Sequence, residues 1–229
     1  MSVMNQPTIY SKGGGVYNMR GVYNTRGVYN DGDEIVDVEI GGKIYPVVKI
    51  GDLYWLAQNL DYYDENIKLG ETPTYDYDYP HAWYYLNDDN EFGWNGKKFG
   101  LLYNNLAAEY LEQNKDILLN GFRVPNESDF QNLENTIGQT NFVNKLKSTQ
   151  FWGTPGIDEF GFNMIPGGVC SGDNITPVVW SDVYNQSNIR MITNDHQGKQ
   201  FRANNNNTYV LLRAANVSFG ISMRLCRDV

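Results

Sequence analysis

The stretch DEFGFNMIPGG at residues 158–168, together with the closing stretch SFGISMRLCRD at residues 218–228, decides the fold of this chain. Both stretches combine apolar residues with glycine, which is the composition of short strands and tight turns. The segment from Tyr184 to Asn216 is different, because it is polar and rich in asparagine. A strand framework that holds such an insert is typical of a scaffold that presents a surface, and not of a catalytic cleft.

The composition limits the size of the protein and the partners it can have. The chain has 229 residues, of which 41% are hydrophobic, enough for one large domain or for one domain with a small appendage. Its formal net charge is −9 and no basic patch is visible, which argues against binding to nucleic acid or to anionic membranes. No apolar run approaches the roughly 20 residues that a membrane-spanning helix needs, so we expect no membrane insertion.

The first residues and the cysteines bear on the compartment. Residues 1–7 lack a charged start and an apolar core, so we expect no signal peptide and synthesis in the cytoplasm, with any exit by a route such as assembly into a virus particle. Cys170 and Cys226 fit either one disulfide or two buried free thiols, and the cytoplasm favours the thiols. Two cysteines and two distant histidines do not form a zinc site, and we expect no metal or other cofactor.

An internal repeat with a period of six lies near the N-terminus. The sequence GVYN occurs at residues 15–18, 21–24 and 27–30, where glycine and asparagine separate short Val-Tyr strand pieces. Three such copies are too short to bury a core alone. We interpret residues 1–34 as a segment for attachment or for homo-oligomerisation, with a trimer as the expected form. The same residues also fit a flexible low-complexity linker.

The domain proper is predicted to span residues 35–229. Residues 35–40 alternate in polarity and are followed by Gly41, Gly42 and a second strand-like run at 43–50, a pattern that predicts a β-hairpin. After Thr149 the pattern is mostly that of strands and loops.

Two helices are predicted between the hairpin and the closing strands. The first covers residues 101–119. Its expected apolar face consists of Leu102, Leu106, Tyr110, Ile117 and Leu118. The second runs from Glu127 to Ile137, with Asn126 as its N-cap and Gly138 as its end. A short turn or helix is expected at residues 142–147.

Several short blocks follow one another in the order of a known family. Residues 45–60 (YPVVKIGDLYWLAQNL), 99–103 (FGLLY) and 121–125 (GFRVP) resemble blocks of the Fibrobacter succinogenes major paralogous domain. Its later blocks resemble Leu146-Lys147-Ser148, residues 160–168, Trp180-Ser181 and residues 219–228. The resemblance runs from about Ile44 to Asp228 and does not cover residues 1–34. The family often has a cysteine just before the GFRVP block, where this chain has Leu118-Leu119-Asn120, so any disulfide would be placed differently.

The resemblance implies a fold and, through a second resemblance, a function. The family resembles the C-type lectin fold in its formylglycine-generating enzyme branch, which implies an α+β domain with two helices on short twisted sheets and paired N- and C-terminal strands. Domains of this branch serve as variable proteins of diversity-generating retroelements, in which substitution at adenines favours asparagine codons. The variable side chains of such proteins cluster on one exposed face that binds ligand.

The residues that fit this palette form the predicted variable face. They are Tyr184, Asn185, Ser187, Asn188, Asn194, Asp195, His196, Arg202, Asn204, Asn205, Asn206, Asn207, Tyr209, Arg213 and Asn216. The resemblance implies a receptor-binding protein at the tail tip of a phage virion, with a bacterial cell-surface protein or glycan as its ligand. The alternative is a bacterial cell-surface or structural protein of the same family that is not diversified, because asparagine is also a common turn residue.

Two further classes fit the residues less well. An enzyme of the formylglycine-generating type needs reactive cysteines, but no histidine is expected to act as a base beside Cys226, and no other catalytic motif is present, so we expect no enzyme and no catalytic residue. Calcium-dependent sugar binding lacks its usual signatures. Aspartates at 76, 78, 88 and 89 do not have EF-hand spacing.

Overall fold

The computed structural model describes residues 35–70, 79–84, 99–171, 179–181, 185–193, 195 and 197–229. The GVYN repeat, the aspartates at 76, 78, 88 and 89, and three predicted site residues, Tyr184, Asn194 and His196, lie outside the described residues. The described residues form a mixed α+β fold with many short strands and few helices, as the sequence predicted.

The helices and strands follow one another along the chain as the sequence pattern suggests. The first strands are β1 (Asp37–Ile40), β2 (Lys43–Ile50), β3 (Leu53–Leu56), β4 (Lys68–Leu69), β5 (His81–Trp83) and β6 (Leu102–Tyr103). The helices are α1 (Asn105–Gln113), α2 (Lys115–Leu118), α3 (Glu127–Ile137) and α4 (Phe142–Leu146). The remaining strands are β7 (Val169–Ser171), β8 (Val179–Ser181), β9 (Gln186–Met191), β10 (Lys199–Asn204), β11 (Tyr209–Ala214), β12 (Gly220–Ser222) and β13 (Cys226–Asp228).

Within the described residues the strands belong to two sheets. The first has the order β1-β2-β3-β13, so the C-terminal strand lies in the same sheet as the N-terminal hairpin and pairs antiparallel with β3. The second has the order β11-β10-β9-β12-β6-β5-β4, with β7 beside β12 and β8 beside β7. Strands β9, β10 and β11, which carry most of the predicted variable face, therefore form one end of the second sheet.

The predicted hairpin is confirmed, and so is its turn. Val38 lies opposite Tyr45 in the β1–β2 ladder. Gly41 and Gly42 between the strands have φ of +59° and +78°, the left-handed region that two-residue hairpin turns need and that glycine adopts without strain.

Strand β3 is buried on both of its faces and separates two apolar cores. Tyr54 and Leu56 pack into a core with α1 and the N-terminal hairpin. Leu53 and Trp55 point the other way, into a core built from α3, α4, β9 and β10. The uninterrupted apolar run at residues 53–56 is the sequence signal of a strand with two covered faces.

The prediction for the first helix was wrong in its start and in its buried face. Leu102 is in strand β6, and the helix begins only at Asn105, because the Asn104 side chain caps it by accepting from the Ala107 backbone N–H at 2.9 Å. The buried face consists of Asn105, Ala107, Ala108 and Leu111. Ile117, expected in the core, is 85% exposed.

The second helix and the cysteines agree with the predictions. Helix α3 has Asn126 as its N-cap and Gly138 as its C-cap, and Asp129 completes a capping box with Asn126. Asp129 also holds Arg123 by two hydrogen bonds of 2.6 and 2.9 Å. Cys170 and Cys226 are both free and buried.

A buried arginine connects three distant segments of the chain. Arg224 has no exposed surface, and its guanidinium donates to the Asn59 side-chain oxygen from Nη2 at 2.8 Å and from Nε at 3.2 Å. Its remaining N–H groups donate to the backbone oxygens of Leu56, Phe162 and Asn163. Burial lowers the pKa of Arg224 to about 9. Every side of this cation therefore has an acceptor, which offsets its desolvation.

We predict that Arg224→Met lowers the free energy of unfolding by about 3–5 kcal/mol, because it leaves the acceptors of a buried cation without a donor. Urea unfolding followed by circular dichroism measures the change. The matched control is Arg227→Met, three positions further on at a half-buried site, with an expected loss of about 1 kcal/mol or less. Equal losses for the two variants would contradict the role of Arg224.

Candidate binding surface

The structure divides the described site residues into separate groups. Strand β10 runs between the β9–β10 turn, which contains Asp195, and the β10–β11 turn, which contains Asn205 to Asn207. Six residues of strand span about 17–20 Å, so these two turns lie at opposite ends of the sheet. The predicted face is therefore not one patch.

Two of the predicted surface residues are buried. Ser187 and Asn188 have exposed fractions of 1% and 0%, so their assignment to an exposed face was wrong. Strand β9 lies between β10 and β12, and both of its faces are covered. On one face the Asn188 side chain donates to the Gly168 carbonyl at 3.1 Å, and Arg190 Nη2 donates to the Phe219 carbonyl at 2.5 Å. These polar side chains satisfy backbone groups instead of meeting a ligand.

Tyr209 belongs partly to the core. Its ring packs against Phe142 and Phe201, with centroid distances of 5.1 and 6.2 Å. Its hydroxyl donates to Glu134 Oε1 of α3 at 2.5 Å. Burial, followed by the hydrogen bond to the Glu134 carboxylate, raises the pKa of Tyr209 to about 12. The residue thus fastens the start of β11 to α3.

Five asparagines come together at one end of the sheet, and we call them the tip surface. They are Asn185, Asn204, Asn205, Asn206 and Asn207. The backbone N–H of Asn205 donates to the Asn185 carbonyl at 2.7 Å, which joins the start of β9 to the β10–β11 turn. The turn is closed by two further backbone bonds, from Asn204 to Thr208 at 2.8 Å and from Asn207 to Asn204 at 3.0 Å. The side chains of Asn185, Asn206 and Asn207 are exposed.

Asparagine suits this turn for a backbone reason. Asn207 has φ of +65°, in the left-handed region that asparagine tolerates better than most residues other than glycine. Asn206 stabilises the turn in a second way, since its Oδ1 accepts from the Thr208 backbone N–H at 3.2 Å and from the Thr208 hydroxyl at 2.7 Å. This local bond is typical of asparagine in turns.

A buried lysine holds the tip surface from below. Lys147 follows α4 and has no exposed surface, and its ammonium donates to the Asn205 carbonyl and to Asn207 Oδ1, both at 3.0 Å. The ammonium also lies 4.6 Å from the centroid of the Trp152 ring, within the range of a cation–π interaction. Burial lowers the pKa of Lys147. A neighbouring loop adds a bond from the Thr154 backbone N–H to Asn205 Oδ1 at 2.6 Å.

The remaining described site residues lie away from the tip surface. Asp195 and Asn216 are exposed and lie in turns at the other end of the sheet. There the Asn216 side chain accepts from the Ser218 backbone N–H at 3.0 Å. Arg202 is half-buried on β10 opposite Asn188, and the side chain of Arg213 lies outside the description.

Sequence reasoning missed the residues that support the tip surface. Lys147 was noticed only as part of the Leu-Lys-Ser block, and Trp152 and Thr154 were assigned no role. One signal was available, since a lysine directly after a short apolar helix segment is an unusual choice for a position that packs against the core. The partner of such a lysine could not be read from the sequence, because 58 residues separate Lys147 from Asn205.

Two general searches of the described residues found no further site. Among them, no group of three or more His, Cys, Asp or Glu side chains is arranged to hold a metal ion. No helix in the same part of the chain has the length and the apolar character needed to cross a membrane.

These features define a mixed α+β domain in which a polar hairpin turn stands on an aromatic core. The chain belongs to the Fibrobacter succinogenes major domain family, whose family model matches residues 48–227. No curated protein matches the chain, and no solved structure matches it.

We predict that Lys147→Met loosens the tip surface without unfolding the domain, because methionine keeps the buried apolar stem and removes the ammonium. Hydrogen bonds to charged groups contribute about 1.5–3 kcal/mol, so the backbone amides of Asn205 and Asn207 should exchange with deuterium about tenfold faster or more. Hydrogen-exchange mass spectrometry or NMR measures these rates.

The control for this prediction is Lys145→Met, two residues earlier in α4. Lys145 is half-buried and donates to the Ile137 carbonyl at 3.2 Å, away from the tip surface. Its replacement should leave exchange at residues 205–207 unchanged. Unaltered protection of the tip in Lys147→Met would show that the turn is held by its own backbone bonds alone.

Proposed function

We propose that this protein is a ligand-binding protein with a C-type lectin-like fold, and that the tip surface contacts the ligand. The observation that carries the proposal is the tip itself, where exposed asparagine side chains stand on a turn fixed by Lys147, Thr154 and backbone bonds. A fixed turn presents its polar groups with little loss of entropy on binding. Asp195 and Asn216, at the other end of the sheet, are not part of this proposed site.

The biological setting we propose is the tail tip of a phage, with a bacterial cell-surface ligand. The asparagine-rich segment and the resemblance to retroelement-diversified proteins support it. In that setting residues 1–34 attach the domain to the tail or assemble it into a trimer. Several copies acting together convert weak single contacts into useful avidity.

We also propose that the domain is not an enzyme. Burial raises the pKa of the Cys170 thiol to about 12, and burial with the nearby Asp129 carboxylate raises the pKa of Cys226. Both thiols therefore stay protonated at neutral pH, and a protonated thiol is a poor nucleophile. This supports a binding role over chemistry of the formylglycine-generating type.

We predict that the double variant Asn185→Ala/Asn206→Ala loses at least about tenfold in binding to bacterial cells, since each lost polar contact contributes about 0.5–1.5 kcal/mol. Labelled full-length protein is titrated onto a panel of bacterial isolates and bound label is counted by flow cytometry. The matched control is Asp195→Ala/Asn216→Ala, which removes two exposed polar side chains at the other end of the sheet. Loss of binding in the control but not in the tip variant would move the site away from the tip.

A specific observation favours a second candidate, a bacterial cell-surface member of the family that is not diversified. Asn205 and Asn207 bond to Lys147 or Thr154, so their substitution would release the turn. Diversification is compatible with the structure at positions whose side chains are exposed and do not hold the fold from within. Asn185, Asp195 and Asn216 have exposed side chains, and Ser187 and Asn188 do not.

Sequencing of the gene across a population of its source separates the two candidates. For a diversified protein we predict substitutions at the adenines of codons 185, 195, 206 and 216, with codons 187, 188, 205 and 207 unchanged. A near-identical template copy and a reverse transcriptase gene should lie nearby. An invariant segment without a template would leave the undiversified alternative.

A further inference from the structure

The tip surface has an assigned chemical polarity. An asparagine amide can turn either its oxygen or its nitrogen inward, and the hydrogen-bond network decides which. Asn207 faces the Lys147 ammonium, Asn205 faces the Thr154 backbone N–H, and Asn206 faces the Thr208 backbone N–H. All three partners can only donate. The three amide oxygens therefore point inward, and the three NH₂ groups point away from these partners.

The outward side of the turn is accordingly rich in donors. Among the described residues, no hydrogen bond is made by Nδ2 of Asn205, Asn206 or Asn207. Asn206 and Asn207 are exposed, and Asn205 is half-buried. A ligand that approaches this turn meets N–H groups, whereas the three amide oxygens are already occupied.

A positive charge lies directly behind these donors. Lys147 is fully buried, and within the described part of the chain no carboxylate lies at ion-pair distance from its ammonium. Its charge acts through a medium of low dielectric constant, where screening by water is weak. The local potential at the turn therefore favours an anion, although the chain as a whole has a net charge of −9.

We propose that the tip surface recognises the carboxylate of an acidic saccharide, an inference that rests on the proposed binding function and names its ligand class. A carboxylate offers only acceptors, and N–H groups that bond to an ionised acceptor form the stronger class of hydrogen bond. The saccharide is favoured over an acidic peptide because the five tip residues are all asparagine. A peptide interface usually contains aromatic or aliphatic side chains at its centre.

The test uses the full-length protein labelled with ¹⁵N and two small probes, sodium glucuronate and glucose, at equal ionic strength. We expect glucuronate, and not glucose, to shift the side-chain NH₂ signals of Asn206 and Asn207. Equal shifts with both sugars, or none with either, would overturn the inference. An equal response to N-acetylglutamate would replace the saccharide by an acidic peptide.

A nearly isosteric substitution tests the polarity itself. Asn206→Asp keeps the inward oxygen that accepts from Thr208 and replaces the outward NH₂ by a second anionic oxygen, so the turn is retained. We expect its affinity for glucuronate to fall about tenfold or more, since a charge-assisted bond is replaced by repulsion. The control is Asn216→Asp, where the amide oxygen likewise accepts from a backbone N–H two residues on, at the other end of the sheet.

The failure of this inference is distinguishable from the failure of the proposed function. Cells that bind the wild type through the tip, while glucuronate gives no response, would overturn only the ligand class. Cell binding that is insensitive to the tip variants would overturn the site. An unaltered glucuronate response in Asn206→Asp would show that the donors of the turn are not used.

Discussion

The guanidinium of Arg224 needs an acceptor on every side, and this requirement organises the rest of the fold. The acceptors come from the end of β3, from the turn at residues 158–163 and from the side chain of Asn59. Two backbone bonds run beside it, from Leu56 to Leu225 at 3.0 Å and from Leu60 to Met223 at 2.7 Å. Because leaving such a cation unsatisfied is costly, the three segments have one arrangement in which the domain is stable.

The arrangement fixed at Arg224 extends to the tip surface through aromatic rings. Trp55 on β3 packs against Phe162 and Phe130, with centroid distances of 5.5 and 5.3 Å. Phe130 on α3 stacks on Phe201 of β10 at 4.7 Å with an interplanar angle of 6°. Phe201 lies three residues before the tip turn begins at Asn204. A densely packed core of this kind leaves the strand little freedom, so the polar turn rests on a rigid base.

The parts of the fold that depend on local chemistry were predictable from the sequence, and the parts that depend on distant partners were not. The glycine turn of the first hairpin and the capping box of α3 depend on residues within three positions of each other. The face of α1 was mistaken because Asn104 starts the helix later than the apolar spacing suggests, which rotates the buried side to Ala107 and Leu111. The family match at residues 48–227 came from short blocks whose order the sequence shows directly.

The candidate site illustrates a similar limit, because one residue type serves two purposes in it. Asparagine was taken as a sign of an exposed binding face, yet Asn188 is buried and Asn207 holds a left-handed turn. Polarity alone predicts neither the covered faces of β9 nor the lysine beneath the turn, since both depend on segments far away in the chain.

The same dual use restricts how the tip surface can change. An asparagine that bonds inward through its oxygen and outward through its nitrogen contributes to both the fold and the surface, so its replacement alters both. At Asn207 the positive φ adds a backbone penalty for most other side chains, above all β-branched ones. At Asn206 the inward bond is to the adjacent Thr208 and not to the core, so its loss is local. Variation of the binding surface, by whatever process, is therefore least costly at Asn206 and at Asn185, and the anchored residues on either side of Asn206 set the shape within which such variation acts.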